Sequence, residues 1–417
     1  MLRKNRSFAH MFAAYGLSAF GDYMDFMAVA ILFGFAWGAD AMTIALLPLA
    51  YAVPGILLGQ FAGIVADRRN KRNVMIAADW IRAVLTVLMV FAPNVWAMLA
   101  WISLRSAARV FHYPAQQAMT RRVVEPGELL QATSLNGAVF QLSKVLGPLI
   151  GASAAAAFSP LGCIAANAAC FAVSAALLLR IPAEQGNVAE HADARPEKKS
   201  GLFGAWREGW LTVAASRILL TSIAFGLVGL FGIQLIDAQI AVLLRDIAPR
   251  RPELLGWIVS AIGAGGLTAV AWLRRYKQLT AYGWLLGGGV ALIGAMFAAA
   301  GTFRHDTPAW FMLAASFAGG IGTGFTSTGM SYILQKETPP EAIGRASGIL
   351  DSLSGVVFVI APIAGGALVE WKGASFAFLA AGTAVGGIGL LGIAARRRLW
   401  GSTGRTGADD APSSMSA

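Results

Sequence analysis

The sequence predicts an all-α membrane protein: twelve transmembrane helices arranged as two pseudo-symmetric six-helix bundles. Three observations predict it. The 417 residues are 57% hydrophobic and 13% charged, with a mean hydropathy of +0.62, against about 25% charged in ordinary soluble domains. The apolar residues fall in runs of the ~20 residues that a helix needs to cross a bilayer, and not in the ~10-residue alternating segments of a barrel. The second half of the chain also repeats features of the first. Two cysteines exclude a disulfide framework or an all-thiolate metal site, and four histidines without ligand spacing leave little for a metal centre.

The runs cover 10–35, 42–66, 74–92, 95–117, 129–157, 161–180, 217–241, 254–273, 281–301, 309–333, 344–369 and 374–395. The first follows a basic start like that of a signal peptide. It is too long for one and contains Asp22 and Asp25, so it reads as an uncleaved span. The third is the least clean, because Asp79 and Arg82 lie inside it. Cys163 and Cys170 in the sixth read as small packing residues. Gly287-Gly288-Gly289 in the ninth and Gly319-Gly320-x-Gly322-x-Gly324 in the tenth lack the lysine and the preceding strand of a phosphate loop. Close helix packing explains them better. The spans divide the chain into a first bundle (1–180), a cytoplasmic linker (181–215), a second bundle (216–395) and a flexible cytoplasmic tail (396–417). Within the linker, Phe203, Trp206, Trp210 and Val213 stand at helical spacing. They form either a helix lying on the membrane surface or an early start to the seventh span.

Charge orients this topology. Of the 33 Lys and Arg, the outer connections hold only Arg245, Arg250, Arg251, Arg304 and Lys372. Basic loops stay inside, so both termini are expected in the cytoplasm of a bacterial inner membrane. The formal net charge of +11 then faces anionic lipid headgroups, and nucleic acid is not needed to explain it.

The repeat is visible around the fifth and eleventh spans. A single offset overlays Pro126 on Pro340, Ala132 on Ala346, Val145 on Val359, Pro148 on Pro362 and Gly151 on Gly365. Parallel halves of this kind build transporters, with the substrate site between them. Without nucleotide chemistry the energy source is an ion gradient. The expected partners are a small-molecule substrate, protons and membrane lipids, the expected state is a monomer, and no cofactor is expected.

Between the second and third spans stands Gly63-Ile-Val-Ala-Asp67-Arg68-Arg69-Asn70-Lys71-Arg72. It resembles the G-x-x-x-D-R-x-x-[RK]-[RK] loop signature of the major facilitator superfamily. Physically, Gly63 allows close helix approach, Asp67 can face a helix N-terminus, and Arg68, Lys71 and Arg72 can anchor in headgroups. Further segments resemble the macrolide-efflux-like exporters, a branch related to siderophore exporters. They are Gly21-Asp22, Ala78-Asp79-Trp80-Ile81-Arg82-Ala83, Leu104-Arg105-Ser106, Phe111-His112-Tyr113-Pro114-Ala115 and Gly147-Pro148-x-x-Gly151, the last being similar to the antiporter signature. The resemblance implies the major facilitator fold and efflux of a drug-like molecule in exchange for protons. It also implies that Arg105 influences a neighbouring proton site; Gly147, Pro148 and Gly151, with Pro362 as the counterpart of Pro148 in the repeat, read as helix-packing residues.

Charges inside a bilayer are costly and usually functional. Asp22 and Asp25 share a helix face. One of them either carries the proton or pairs with Arg105 or Lys144 to hold helices together. Asp79, Arg82 and Arg109 read as an inner-gate latch coupled to Asp67, with Asp351 joining it from the second half. Lys144 either neutralises Asp22 or holds an anionic substrate. On the second half Asp237 and Gln234 are substrate candidates or part of a solvated outer vestibule, and His112 reads as a hydrogen bonder at the cytoplasmic end or a proton relay. Rival substrates are an anionic metabolite or siderophore, or a lysophospholipid. An enzyme is not expected: Asp22-x-x-Asp25 superficially fits a metal pair, but the loops lack the clustered acids and histidines that phosphoryl chemistry needs.

Overall fold

The computed structural model describes residues 5–183, 210, 214–276, 278–339 and 343–400. Among these residues every regular element is helical, and polar caps set many of the helix starts. Asn5 accepts a hydrogen bond from the Phe8 N–H at 2.9 Å and begins α1, Arg6–Ile31. Asp40, Asn70, Asn94, Ser159 and Ser216 do the same for α2 (Ala41–Arg68), α3 (Lys71–Val90), α4 (Val95–Val123), α6 (Pro160–Leu178) and α7 (Arg217–Ile236). Each cap satisfies a backbone donor that the first helical turn leaves orphaned. Helix α5, Leu129–Ala157, instead follows a 3-10 turn at Pro126–Glu128. The second half continues with α8 (Ile240–Ile247), α9 (Glu253–Leu273), α10 (Gly288–Gly301), α11 (Ala309–Glu337), α12 (Ile343–Lys372), α13 (Ala374–Ala394) and the short α14 (Arg396–Trp400). Single π-helical turns extend α1 through Leu32–Ala36 and lead into α10 through Gly283–Gly287.

Twelve long helical segments match the expected spans, counting α7 with α8 as one. Ten of them are long and apolar enough to cross a membrane. The two that fall short are α4 and α11. Helix α4 carries Arg105, Arg109, His112, Gln116 and Gln117, several of which turn toward the protein interior. Helix α11 is diluted by glycine, serine and threonine. Its glycines meet neighbours directly: Gly320 abuts Ile262, and Gly322 abuts Gly289 and Leu292. The seventh span, expected unbroken over 217–241, is interrupted at 237–239. Bonding tightens there, with the Gln239 N–H donating to the Ile236 carbonyl, while the Gln239 side chain donates to Ala41 O in the other half at 3.0 Å.

The two halves repeat one packing scheme. In the first, α1 packs on α5, α2 on α4, and α3 on α4 and α6. In the second, α7 packs on α12, α9 on α11, and α10 on α11 and α13. The halves meet through α5 against α9 and α2 against α12, a symmetric exchange of equivalent helices.

The apolar core shows where the halves are joined. One cluster fuses them at the face opposite the termini, uniting Met27, Phe33, Ile44 and Ala152 with Ile236, Leu243, Leu255 and Phe378. At the face bearing the termini the core divides into two clusters. One contains Phe8, Met75, Met119 and Leu178 from the first half; the other contains Leu219, Tyr282, Ile333 and Trp400 from the second. Hydrogen bonds reinforce the joined face: Arg245 donates to Ala39 O at 2.8 Å, and the Met42 N–H donates to Glu370 at 3.1 Å. The fold is therefore closed at one face and divided at the other.

Candidate functional site

Five embedded charges of the first half, Asp22, Asp25, Asp79, Arg82 and Arg105, form one connected network. Helix α1 contributes Asp22 and Asp25, α3 Asp79 and Arg82, and α4 Arg105 and His112. Arg82 bridges Asp22 at 2.7 Å and Asp79 at 3.2 Å, with its guanidinium 3.9 Å above the Phe171 ring. Asp79 also receives a hydrogen bond from Ser174 at 2.5 Å and lies 3.5 Å from His112. Arg105 pairs with Asp25 at 2.6 Å, with side chains 4% and 0% exposed. Thr86 links the two arginines, donating to Arg82 O at 2.7 Å and accepting from Arg105 at 3.4 Å. Arg105 further donates to the Tyr51 hydroxyl at 3.3 Å. Buried charges persist only when paired and hydrogen-bonded; the ion pairs meet the first condition, while both Asp25 oxygens and the Arg82 Nε are buried without a hydrogen bond of good geometry.

Two cavities reach the network and the space between the halves. The first, about 490 Å³, is lined by Asp22, Arg82, Arg109, His112, Tyr15 and Asn136, all in the first half. The second, about 320 Å³, has walls from both halves: Tyr23, Phe26 and Lys144 on one side, Gln234, Asp237 and Thr323 on the other. Tyr23 belongs to both. A third, about 590 Å³, lies within the second half among Trp272, Tyr276, Trp284 and Phe325, with no charged residue on its wall among the described residues.

Several expected pairings are corrected. Asp22 meets Arg82, not Arg105 or Lys144. Among the described residues the pairs of Asp79 and Arg82 hold α3 to α1, α4 and α6 inside one half, and the expected coupling to Asp67 lies outside the described residues. Arg109 lines the first cavity and joins no ion pair among the described residues. Asp351 is exposed and likewise unpaired among them. Lys144 faces the second half, where its charge acts on Asp237 across the cavity.

In the loop signature, Arg72 does not reach for lipid. It donates to Leu178 O at 3.2 Å and Leu179 O at 2.8 Å, capping α6. Lys71 is buried, Arg68 and Arg69 are exposed, and Asn70 donates to Ala183 O. The Gly63 and Asp67 surroundings lie outside the described residues, as do most of the linker helix and the tail beyond Trp400. Gly147 and Gly151 abut Tyr23 and Met24 on α1, the Pro148 carbonyl abuts Gly256, and Pro362 is buried in α12. Sequence reasoning passed over Thr86, Tyr51 and Ser174. Thr86 had a signal, standing one helical turn after Arg82 on the same face; Tyr51 and Ser174 had none.

The arrangement agrees with the family comparison. The family description "Major Facilitator Superfamily" matches residues 11–278 and 251–410. The uncharacterized MFS-type transporter YfiS of Bacillus subtilis (strain 168) is 27% identical over 399 residues, covering 95% of both chains. Macrolide efflux protein A of Streptococcus pyogenes is 21% identical, over 83% of this chain and 85% of that protein. The crystal structure of a point mutant of the nucleoside transporter NupG superposes with a TM-score of 0.73 at 13% identity, covering 95% of this chain and 99% of that one, a likeness of fold. A duplicated twelve-helix scaffold, a cavity walled by both halves and a family match over nearly the whole chain lead to one conclusion: the chain belongs to the Major Facilitator Superfamily and is a membrane transporter.

Proposed function

We propose that this transporter exports an amphipathic small molecule in exchange for protons by alternating access, as a monomer with both termini in the cytoplasm of a bacterial inner membrane. The buried Asp25–Arg105 pair carries the reading. A proton reaching Asp25 cancels its charge and leaves Arg105 without its counter-ion, at a low-dielectric site where that change is costly. Such an event can bias a two-state scaffold, because the network runs through Thr86 to Arg82 and Asp22 on the cavity wall. In this reading Asp22 and Arg105 tune the proton site, and Lys144, Asp237 and Gln234 meet the substrate. Closure at one face and division at the other correspond to an inward-open state, given the basic bias of the inner connections. The similarity to macrolide efflux protein A supports export of an amphipathic compound.

The test uses everted membrane vesicles carrying an imposed proton gradient. Erythromycin, ethidium and Nε-dansyl-lysine are added in turn, and a pH-sensitive acridine dye reports proton return. Substrate-induced proton flux is expected from the wild-type protein and not from Asp25→Asn, which retains substrate exchange without a gradient. Flux that is undiminished in Asp25→Asn removes Asp25 from the mechanism.

A further inference from the structure

The central cavity holds two opposed charges whose geometry sets them apart from the acids of the first-half network. Those acids have cations in contact: Asp22 and Asp79 share Arg82, and Asp25 has Arg105. Lys144 and Asp237 differ. Each lines the cavity between the halves, Lys144 from α5 and Asp237 from the break between α7 and α8. The Lys144 ammonium is the charge that acts on Asp237, yet no salt bridge joins the two. Both side chains are exposed to the cavity space. Around them stand the aromatic rings of Tyr23 and Phe26, the aliphatic Val145, Ile233 and Ile262, and the amide of Gln234.

From this arrangement we propose that the cavity is a zwitterion site: its ligand carries an anionic group for Lys144, a cationic group for Asp237 and an apolar body between the aromatic and aliphatic walls. This rests on the reading of the cavity as the substrate site and names the substrate class. The physical reason is charge balance. Empty, the cavity is neutral, and each charge is partly compensated by its opposite across the gap. A cation alone satisfies Asp237 but is repelled by Lys144, and it leaves the lysine uncompensated. An anion alone does the reverse. Only a molecule bearing both charges replaces each partner's compensation with a closer one, while the apolar walls gain contact area. The site is also bipartite across the two halves. A bound zwitterion ties α5 to the α7–α8 break, so its contacts depend on the angle between the halves, which is the requirement for a ligand that biases alternating access.

The experiment measures binding to purified protein in detergent with no gradient present. Three fluorescent probes share one body: Nε-dansyl-lysine (zwitterion), its methyl ester (cation) and its Nα-acetyl derivative (anion). Dansyl emission reports binding. Wild-type protein is expected to prefer the zwitterion by about tenfold or more over either relative, the size of one lost charge contact. Lys144→Ala is expected to erase the advantage over the cationic ester, and Asp237→Asn the advantage over the acetylated anion. If Lys144 and Asp237 only hold the halves together, each variant weakens all three probes alike, and the proposal is overturned. Equal binding of the three probes by the wild type, or binding of none, also overturns it. The outcomes stay separate from proton coupling. Selective zwitterion binding without proton flux removes the coupling and keeps the site; coupled flux with no charge selectivity removes the site and keeps the coupling.

Discussion

Gly151 and Gly365 hold equivalent places in the two halves: Gly151 abuts the backbone of Met24 in α1, and Gly365 abuts the backbone of Leu235 in α7. Each lets the fifth helix of its half cross the first at backbone contact. The pairing of the same two helices by the same glycine is the packing counterpart of the sequence repeat, and it predicts a shared sensitivity. Gly151→Ala and Gly365→Ala each introduce a methyl where a backbone already stands, at a cost of about 1–3 kcal/mol. Gly348→Ala and Gly387→Ala meet open space and are expected to be neutral. Thermal unfolding followed by fluorescence-detected size exclusion ranks the four; a Gly365→Ala protein as stable as Gly387→Ala contradicts the close crossing.

The Asp25–Arg105 pair is expected to be strongly coupled in stability. Removing one partner leaves a buried charge uncompensated, at about 3–5 kcal/mol. Asp25→Leu and Arg105→Met should each destabilise the protein to that extent. The double variant should cost less than the sum of the two, by about 1–3 kcal/mol. Additive losses in a double-mutant cycle mean that the two side chains do not depend on each other.

Arg245 fastens the joined face by donating to the carbonyls of Ala39 and Gly34, at the end of the first span and within its π-helical turn. Arg245→Ala is expected to shift the balance toward opening at that face by about 2 kcal/mol, or roughly thirtyfold. The reporter is a cysteine at Met42, introduced after Cys163 and Cys170 are replaced by serine. Its labelling by a membrane-impermeant maleimide should accelerate in Arg245→Ala. An unchanged rate shows that the apolar cluster alone holds that face closed.

Arg72 contributes to folding more than its exposed neighbour does. Its bonds go to Leu179 O and to Leu178 O, the latter also accepting from the Ile181 N–H, so Arg72 helps to satisfy the carbonyls at the end of α6. Arg72→Ala is expected to lower stability by about 1–2 kcal/mol, and Arg68→Ala by less than about 0.5 kcal/mol. Equal melting temperatures for the two variants argue against the cap.

The linear chain determined the number of helices, their order and the duplication, because each depends on local properties: apolar run length, polar caps such as Asn5 and Asp40, and recurring residues such as Pro148 and Pro362. It also located the embedded charges, since any ionisable residue inside an apolar run stands out. It could not determine their partners. Asp22 and Asp25 lie on one face of α1, yet they turn to arginines on different helices, Arg82 on α3 and Arg105 on α4. That choice depends on the rotation and tilt of three helices about one another, which close crossings at residues such as Gly151 fix and hydropathy does not record. The same holds for Lys144: the turn of α5 that brings Gly147 and Gly151 against α1 leaves Lys144 toward the other half and Asp237. Tertiary packing alone also decided which face is joined, because that depends on contacts between helices far apart in the chain. The sequence therefore supplied the charges, and the packing of the helices decided which of them are spent on structure and which are left facing the cavity.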